Sequence, residues 1–407
     1  MTLPEGTTAL RLAVADLNGQ ARGKRLPATA AEKVLASGAR MPLSVLNVDV
    51  AGNDIDTSPL VFATGDADGV LMPTERGPLP AQWLDTPTAI LPMWMFTEDG
   101  APFVGDPRQA LARVLDRYGA KSWTPIVATE LEFYLIDDSG PDLKPPASPR
   151  SGVRRTGADI HSLRALDAHD AFFTDLYAGA DAMGIPADAA ISEAGPGQFE
   201  VNLAHRNTME AADDAWLFKL LTQGMARKHG FAASFMAKPY VDQPGNGFHI
   251  HASVLDAGGS NIFDNGGPEG ADSLQHAVAG CLDAMADTTL IFAPHGPSYD
   301  RFTTHSHAPT RATWGYDNRT VAIRIPGGDP TARRLEHRVP GGDANPYLVI
   351  AVVLGAMLDG IDRQANPPPP TTGNGYSSGA PALPTDWARA IDLFETSKIL
   401  SRFLPRQ

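Results

Sequence analysis

Two acidic side chains lie two positions apart in the segment PIVATELEFYLID, and this spacing could build a site for chemistry. Glu130 and Glu132 alternate there with Leu131 and Phe133. In a β-strand such alternation puts the apolar residues on one face and both carboxylates on the other. Carboxylates on one face of a buried strand repel each other unless they face water or a cation neutralises them. This segment alone is consistent with a solvated sheet face or with a cation site.

Three further segments repeat the alternation of apolar and polar residues. Four strands that each have one apolar and one charged face are hard to explain as independently solvated surfaces. The polar residues are Glu200 in SEAGPGQFEVNL, with Glu193 seven residues earlier; His249, His251 and Ser253 in NGFHIHASV; and Arg334, Glu336 and Arg338 in RRLEHRV.

The polar faces together supply a set of ligands for metal ions. Oxygen ligands with a single nitrogen suit Mg²⁺ or Mn²⁺ better than zinc, which prefers cysteine and histidine. Six ligands are enough for two metals that keep positions open for water or a phosphate. The six candidates are Glu130, Glu132, Glu193, Glu200, His249 and Glu336.

Arginines supply positive charge near the end of this pattern. Between residues 301 and 338 the sequence contains seven arginines and only three acidic residues, which gives a local formal charge of +4. Arginine rather than lysine favours bidentate recognition of carboxylate or phosphate, and beside metal carboxylates it indicates phosphoryl transfer. Neither a GxxxxGK[ST] loop nor a convincing GxGxxG turn is found. The seven are Arg301, Arg311, Arg319, Arg324, Arg333, Arg334 and Arg338.

Composition limits the class of protein. The 407 residues correspond to about two or three domains. A net charge of −14 argues against nucleic-acid and membrane-surface partners. The single cysteine, Cys281, excludes an intrachain disulfide and fits a reducing cytoplasm. There is no signal segment at the amino terminus, and the longest apolar run, Tyr347 to Leu358, is too short to cross a bilayer. We therefore expect a cytoplasmic protein.

The order of elements predicts two unequal domains of the α+β class. Asn18-Gly19 predicts a tight hairpin in a first domain of short strands. The pattern of residues changes from short strands to helical spacing near residue 101, so we expect the domains to be 1–100 and 101–407. Asp106 followed by Pro107 predicts the start of a helix. Further strands are expected at 125–136, 197–203, 247–255, 320–326 and 334–339, and further helices near 167–183, 208–230, 271–293, 344–363 and 385–403.

Five sequence blocks, in order from DLNGQARGKR to RRLEHRVPGGDANPYL, resemble those of the glutamine synthetase family. Within that family the chain is most similar to the γ-glutamylpolyamine and γ-glutamylamide synthetases. The resemblance implies an N-terminal β-grasp domain and a catalytic domain with a curved antiparallel sheet flanked by helices. It also implies a homo-oligomer, usually a dodecamer of two stacked rings, in which a neighbour's first domain completes each site.

The resemblance also implies roles for individual residues. Glu132, Glu193 and Glu200 would hold the metal nearest the substrate, and Glu130, His249 and Glu336 the metal nearest the ATP phosphates. Asn246, Gly247, Arg301 and Arg338 would bind L-glutamate. Arg319 and Arg324 would stabilise the transferring phosphoryl group, with His251, Ser253 and Arg334 on the ATP side. Asp49 is the match for the aspartate that deprotonates the amine, although a loop-capping role fits it equally well.

The implied reaction needs ATP and two or three Mg²⁺ or Mn²⁺ ions per site. ATP phosphorylates the γ-carboxylate of glutamate, and an amine then displaces the phosphate. Glutamine synthetases carry a flap glutamate before an Ala-Pro pair, where this sequence has His307-Ala308-Pro309. Losing that carboxylate favours an organic amine over ammonia. The alternatives are an authentic glutamine synthetase, a guanidino kinase and a non-catalytic ring protein, and the sequence does not identify the amine.

Overall fold

Two β-sheets and eight α-helices make up the computed structural model, which describes residues 1–303 and 306–404. Strands and helices are intermixed along the chain, so the expected α+β class is confirmed. The boundary near residue 101 falls between the last strand of the first sheet and the second helix, and it stays a prediction.

The first sheet is built from the amino-terminal hundred residues. The predicted hairpin is present, with Gly19 in its turn at a φ of 74°, a backbone conformation that favours glycine. The elements of this region are β1 (Ala9–Ala15), β2 (Ala21–Pro27), α1 (Ala31–Ser37), β3 (Ala39–Pro42), β4 (Asp68–Pro73), β5 (Leu79–Pro80) and β6 (Thr88–Phe96). The strands are ordered β2-β1-β6-β4-β3 in the sheet, and β5 also pairs with β6. Of these pairs only β1–β6 is parallel.

The second sheet carries the four segments with polar faces. Its strands are β7 (Thr124–Ile136), β8 (Ala187–Ser192), β9 (Gln198–Asn207), β10 (Ala232–Ser234), β11 (Phe248–Leu255), β12 (Trp314–Tyr316), β13 (Ile323–Ile325) and β14 (Leu335–His337). They are ordered β12-β13-β14-β11-β7-β9-β8 in the sheet, and β10 also pairs with β7. The pairs are antiparallel, as expected, except for the parallel pair β12–β13.

The remaining helices lie close to their predicted positions. In the helix that follows Asp106, the aspartate side chain accepts the N–H of Arg108 at 2.8 Å and so caps the helix. The helix expected near 385–403 is shorter, because the backbone becomes extended at Ser397, whose hydroxyl donates to Asp287. The helices are α2 (Pro107–Gly119), α3 (Leu163–Asp167), α4 (Asp170–Ala182), α5 (Thr208–Lys228), α6 (Asp272–Phe292), α7 (Pro346–Asp362) and α8 (Trp387–Thr396).

The main core lies between the apolar face of the second sheet and the helices. Leu131, Phe133 and Val201 on the sheet are almost completely buried, and α5 packs against β7, β9 and β10. Helices α6 and α7 approach each other so closely at Gly280 that a Cβ there would lie only 2.0 Å from the carbonyl oxygen of Ala356. This packing fixes the sheet from one side and leaves its polar face free to form a site.

Candidate active site

Strand β7 lies at the centre of the polar face and brings the carboxylates of neighbouring strands together. Glu132 pairs directly with Glu200 of β9, and Glu130 pairs with His249 of β11. Directly paired residues of antiparallel strands project from the same face of a sheet. The period-two spacing in each separate segment is therefore converted into a single cluster.

Glu130 connects the two histidines of β11. Its Oε2 lies 2.8 Å from Nδ1 of His249, and its Oε1 lies 2.9 Å from Nε2 of His251. Two groups have ligand atoms that all lie within 4.8 Å of one another: Glu130 with Glu200 and His249, and Glu130 with His251 and Glu336. The structure thus adds His251, which was expected to contact ATP, to the candidate metal ligands.

The other two predicted ligands lie at the same cluster. Glu132 accepts the backbone N–H of Gly247 at 2.7 Å, and its second oxygen lies 3.8 Å from Nε2 of His249. Glu193 follows β8 directly and lines the same cleft as Glu132 and Glu200. All six predicted ligands are therefore close to one another on the polar face.

The crowding of carboxylates alters their protonation. Burial, together with the negative charge of Glu132, raises the pKa of Glu193 to about 7, and burial beside the other carboxylates raises the pKa of Glu200 well above its usual range. Burial acts in the same direction on Glu130, but hydrogen bonds with His249 and His251 lower its pKa overall. A group of carboxylates that cannot all ionise without a counterion fits a hard divalent cation.

Two clefts meet at the carboxylate cluster. The larger has a volume of about 660 Å³ and is lined by His251, Ser253 and Arg334, whose role on the ATP side stays a prediction. The smaller has a volume of about 470 Å³ and includes His249 and the metal-ligand candidates of β7 and β9. Glu130 and Asn202 line both clefts, so the two volumes adjoin at these residues.

Four of the predicted arginines line the smaller cleft. Burial lowers the pKa of Arg301, whose guanidinium donates to the carbonyl oxygen of Val339 at 2.6 Å. Arg338 and Arg324 both donate to Glu336, which is only 1% exposed and lies beneath them. The four are Arg301, Arg319, Arg324 and Arg338.

Two arginines of the basic segment have structural contacts instead. Arg311 donates to the carbonyl oxygens of Tyr376 and Ala380, at 3.2 and 2.8 Å. Arg333 is buried and donates to the carbonyl oxygens of Pro326 and Gly267. Part of the local positive charge therefore holds loops together rather than facing a cleft.

The Asn246-Gly247 loop lies beside the cluster, but Asn246 turns away from the cleft. Its buried amide accepts from Gln198 and donates to the carbonyl oxygens of Ser234 and Met236. These contacts hold the loop in place. At Gly247 a Cβ would lie 2.8 Å from Nε2 of His249 and 3.0 Å from Arg301 and Glu132, so a larger residue would displace these side chains.

Asp49 lies away from this chain's own cluster, in the loop that precedes β4. Its carboxylate accepts from the backbone and side-chain N–H groups of Asn53, and these hydrogen bonds lower its pKa. Asp49 is not among the described residues that line either cleft. Its predicted role in a neighbour's site stays a prediction.

The sequence reasoning missed two residues that contact the predicted set. Asn202 donates to Oε1 of Glu130 at 3.3 Å, and Asp317 accepts from Nη2 of Arg324 at 2.9 Å. The period-two pattern already places Asn202 on the polar face of β9 with Glu200, but Asn202 was not among the candidate site residues. Asp317 lies in a loop at a φ of 49°, where no periodicity applies.

Comparison with known proteins agrees with this geometry. The protein-family model described as the glutamine synthetase catalytic domain matches residues 104–407 of this chain. The chain belongs to the glutamine synthetase family. It is therefore a ligase that forms carbon–nitrogen bonds, and enzymes of this family use ATP and a divalent metal.

Individual members of the family are similar over nearly the whole chain. The γ-glutamylputrescine synthetase PuuA of Escherichia coli (strain K12) is 38% identical over 400 residues, which cover 96% of this chain and 83% of that protein. The γ-glutamylethanolamide synthetase GlnA4 of Streptomyces coelicolor is 33% identical, covering 95% of this chain and 84% of the relative. A solved GmaS–ADP complex, 28% identical, superposes with a TM-score of 0.86 and covers 98% of this chain and 90% of that one. In the described part of the chain no helix combines the length and apolar character needed to cross a membrane.

Proposed function

We propose that the protein is an ATP-dependent ligase that joins the γ-carboxylate of L-glutamate to an organic amine. The products are a γ-glutamylamide, ADP and phosphate, with γ-glutamyl phosphate as the intermediate. The observation that carries the proposal is the position of Glu130, which lines both clefts at the carboxylate cluster. One cleft can hold a nucleotide and the other glutamate and an amine, so their reacting groups meet at this residue.

The larger cleft is assigned to ATP. Arg334 and Ser253 line it, and Arg334 donates from Nε to Nδ1 of His251 at 3.2 Å. These residues supply a cation, a hydroxyl and an imidazole for the phosphate chain, which enters towards the carboxylates.

The carboxylate cluster is assigned to two or three Mg²⁺ or Mn²⁺ ions. Glu132, Glu193 and Glu200 would hold a metal on the glutamate side, and Glu130, His249 and Glu336 a metal on the ATP side, with His251 close to the second group. When bound, such ions neutralise phosphoryl oxygens and so favour transfer. The raised pKa values of Glu193 and Glu200 support the assignment, because a cation offsets their mutual repulsion.

Glutamate is assigned to the smaller cleft. Arg301 and Arg338 would bind its carboxylates, while Gly247 leaves room beside them and Asn246 fixes the loop. Arg319 and Arg324 line the same cleft and would stabilise charge on the phosphoryl group as it moves from ATP to the γ-carboxylate. The γ-carboxylate oxygen that accepts the phosphoryl group can then leave with it as phosphate in the second step.

The second step uses the amine. Its nitrogen lone pair attacks the γ-carbonyl carbon, the bond from that carbon to the phosphate oxygen breaks, and the amine gives up a proton. We assign the proton acceptor to Asp49 of a neighbouring copy in a dodecamer of two rings, since Asp49 is not among the described residues that line the cleft of its own chain. His307 lines the smaller cleft where a flap glutamate is expected, which favours an organic amine over ammonia. We also propose a cytoplasmic location, with which the single, buried Cys281 accords.

The test is a panel of amines. Purified protein is incubated with ATP, Mg²⁺, L-glutamate and either ammonium, ethylamine, ethanolamine, putrescine or benzylamine. Phosphate release gives the rate, and mass spectrometry identifies the amide. We expect a γ-glutamylamide from at least one organic amine at a higher kcat/KM than for ammonium. Best turnover with ammonium would identify an authentic glutamine synthetase. In a parallel incubation with ATP and creatine in place of glutamate and amine, a stable phosphoguanidine would identify a guanidino kinase.

A further inference from the structure

We propose that the acceptor is a monoamine with an apolar substituent, and that Ile160 and Ile191 form the wall that contacts this substituent. The inference rests on the proposed function and names the class of amine. The inferred amine differs from putrescine, the diamine named for the relative that is 38% identical.

The outer part of the smaller cleft is lined by uncharged side chains and imidazoles. Ile191 of β8 pairs directly with Glu200 of β9, so its side chain shares the face of the candidate metal ligands. Ile160 lies in the loop before α3 and is 57% exposed, an unusual degree for an isoleucine beside a polar site. Ala189, His161 and His307 complete this part of the cleft. An apolar group bound here would remove the isoleucines from water.

The loop that carries Ile160 is fixed to the catalytic cluster through Ser192. The buried Ser192 hydroxyl donates to the carbonyl oxygen of Asp159 and accepts the N–H of Ser162, both at 2.7 Å. The N–H of His161 donates to the carbonyl oxygen of Ser192 at 2.8 Å. Ser192 immediately precedes Glu193, so Ile160 is held at a set position relative to the metal cluster.

Charge in the smaller cleft disfavours a second ammonium group. Its described lining contains four carboxylates, and all of them belong to the metal cluster: Glu130, Glu132, Glu193 and Glu200. The acid nearest to Ile160 in sequence is Asp159, which is paired with Arg155 and approached by Arg164 at 4.0 Å. The far ammonium of a diamine would lose water at this wall without gaining a carboxylate from the described lining of this chain.

A matched pair of substrates tests the class of amine. Pentylamine and putrescine have chains of the same length and differ in one terminal group, methyl in the first and ammonium in the second. With ATP, Mg²⁺ and L-glutamate, we expect kcat/KM for pentylamine to exceed that for putrescine by about tenfold or more. An equal or higher value for putrescine overturns this inference and leaves the proposed function intact. Absence of amide from every organic amine overturns both.

A charge placed in the wall tests the assigned residues. Ile160→Glu supplies a carboxylate for the far ammonium, so we expect the pentylamine to putrescine ratio to fall about fivefold. Leu163→Glu is the matched control: Leu163 is 74% exposed, lies three residues away and is not among the described residues that line the cleft. An unchanged ratio in Ile160→Glu, or the same change in Leu163→Glu, overturns the assignment of the wall. Circular dichroism of both variants verifies that they are folded.

Discussion

Arg324 donates from Nη1 to Oε2 of Glu336 at 2.9 Å, so the arginine assigned to the phosphoryl group is hydrogen-bonded to a carboxylate assigned to a metal. The Nη2 of the same guanidinium donates to Asp317. Glu336 is buried beneath Arg324 and is not among the described residues that line the clefts. Transfer of the phosphoryl group therefore requires Arg324 to exchange these carboxylates for phosphoryl oxygens.

Arg324→Gln tests this exchange. Loss of the guanidinium removes charge stabilisation from the transferring phosphoryl group, and we expect kcat to fall by about 100- to 1,000-fold. The KM for ATP should change little, because the arginine is held by Glu336 and Asp317 before the reaction. Phosphate release at saturating glutamate and amine measures the effect.

Arg311→Gln is the control from the same basic segment. Arg311 donates to two backbone carbonyl oxygens and does not line either cleft as described, so its loss should lower the melting temperature and leave kcat close to that of the wild type. A large loss of kcat in both variants, or in neither, would contradict the assignment of Arg324.

Glu336→Gln tests the metal assignment. It removes a charged ligand while keeping a polar group beside Arg324 and Arg338, and we expect turnover to fall about 1,000-fold. Calorimetric titration with Mg²⁺ should show weaker binding. The matched change Glu32→Gln, at an exposed position of α1, should alter neither property. Retained turnover in Glu336→Gln would show that Glu336 is not a ligand.

His169 gives a pH dependence that arises from the core rather than from the metal cluster. It is buried against the rings of Phe199 and Phe231, and burial lowers its pKa to about 4 from an ordinary value of 6.5. The unfolded chain therefore binds a proton at a higher pH than the folded one does. The folded state is favoured above pH 6.5, and we expect it to lose up to about 3 kcal/mol as the pH falls from 6.5 to 4.

His169→Phe should remove this part of the pH dependence. Urea unfolding at several pH values between 4 and 7 gives the free energy of unfolding for both proteins. His205→Phe, at an exposed histidine, is the control and should keep the wild-type slope. If the slope in His169→Phe equals that of the wild type, the buried imidazole is not its source.

The metal cluster could be predicted from sequence because it depends on short periods. Alternation within one strand placed Glu130 and Glu132 on a face, and antiparallel pairing then brought His249 and Glu200 opposite them. Each step needs only the geometry of a strand. Residues in loops have no such period, which is why Asp317 was missed, and the role expected for Asn246 came from the family resemblance and stays a prediction.

The buried contacts of Arg108 and Asp213 could not be predicted from the sequence. Arg108 donates to both oxygens of Asp213, at 3.0 and 3.1 Å, and to Glu75 at 3.1 Å, although it lies on the apolar side of α2. Tyr347 donates to the same aspartate. These pairs join residues more than thirty positions apart, and a charged residue in a helix is ordinarily expected to face water.

Asp213→Asn tests this buried cluster. The variant leaves the guanidinium of Arg108, which is 4% exposed, without its bidentate partner, and we expect a loss of about 3–5 kcal/mol in the free energy of unfolding. Denaturant unfolding measures the loss. The control is Asp138→Asn, whose pair with Arg227 is exposed and should contribute much less to the free energy of unfolding. Equal losses in the two variants would contradict a stabilising role for the buried cluster.

Mixing two inactive variants tests whether Asp49 acts on a neighbour's site. In a ring, a chain with Asp49→Asn still carries Glu336, and a chain with Glu336→Gln still carries Asp49. If each site combines Glu336 of one copy with Asp49 of the next, random co-assembly should restore about one quarter of the wild-type activity. Co-expression with two affinity tags isolates the mixed rings, and phosphate release measures their turnover. Rings that stay inactive, or an active Asp49→Asn variant alone, would show that Asp49 is not a residue shared between copies.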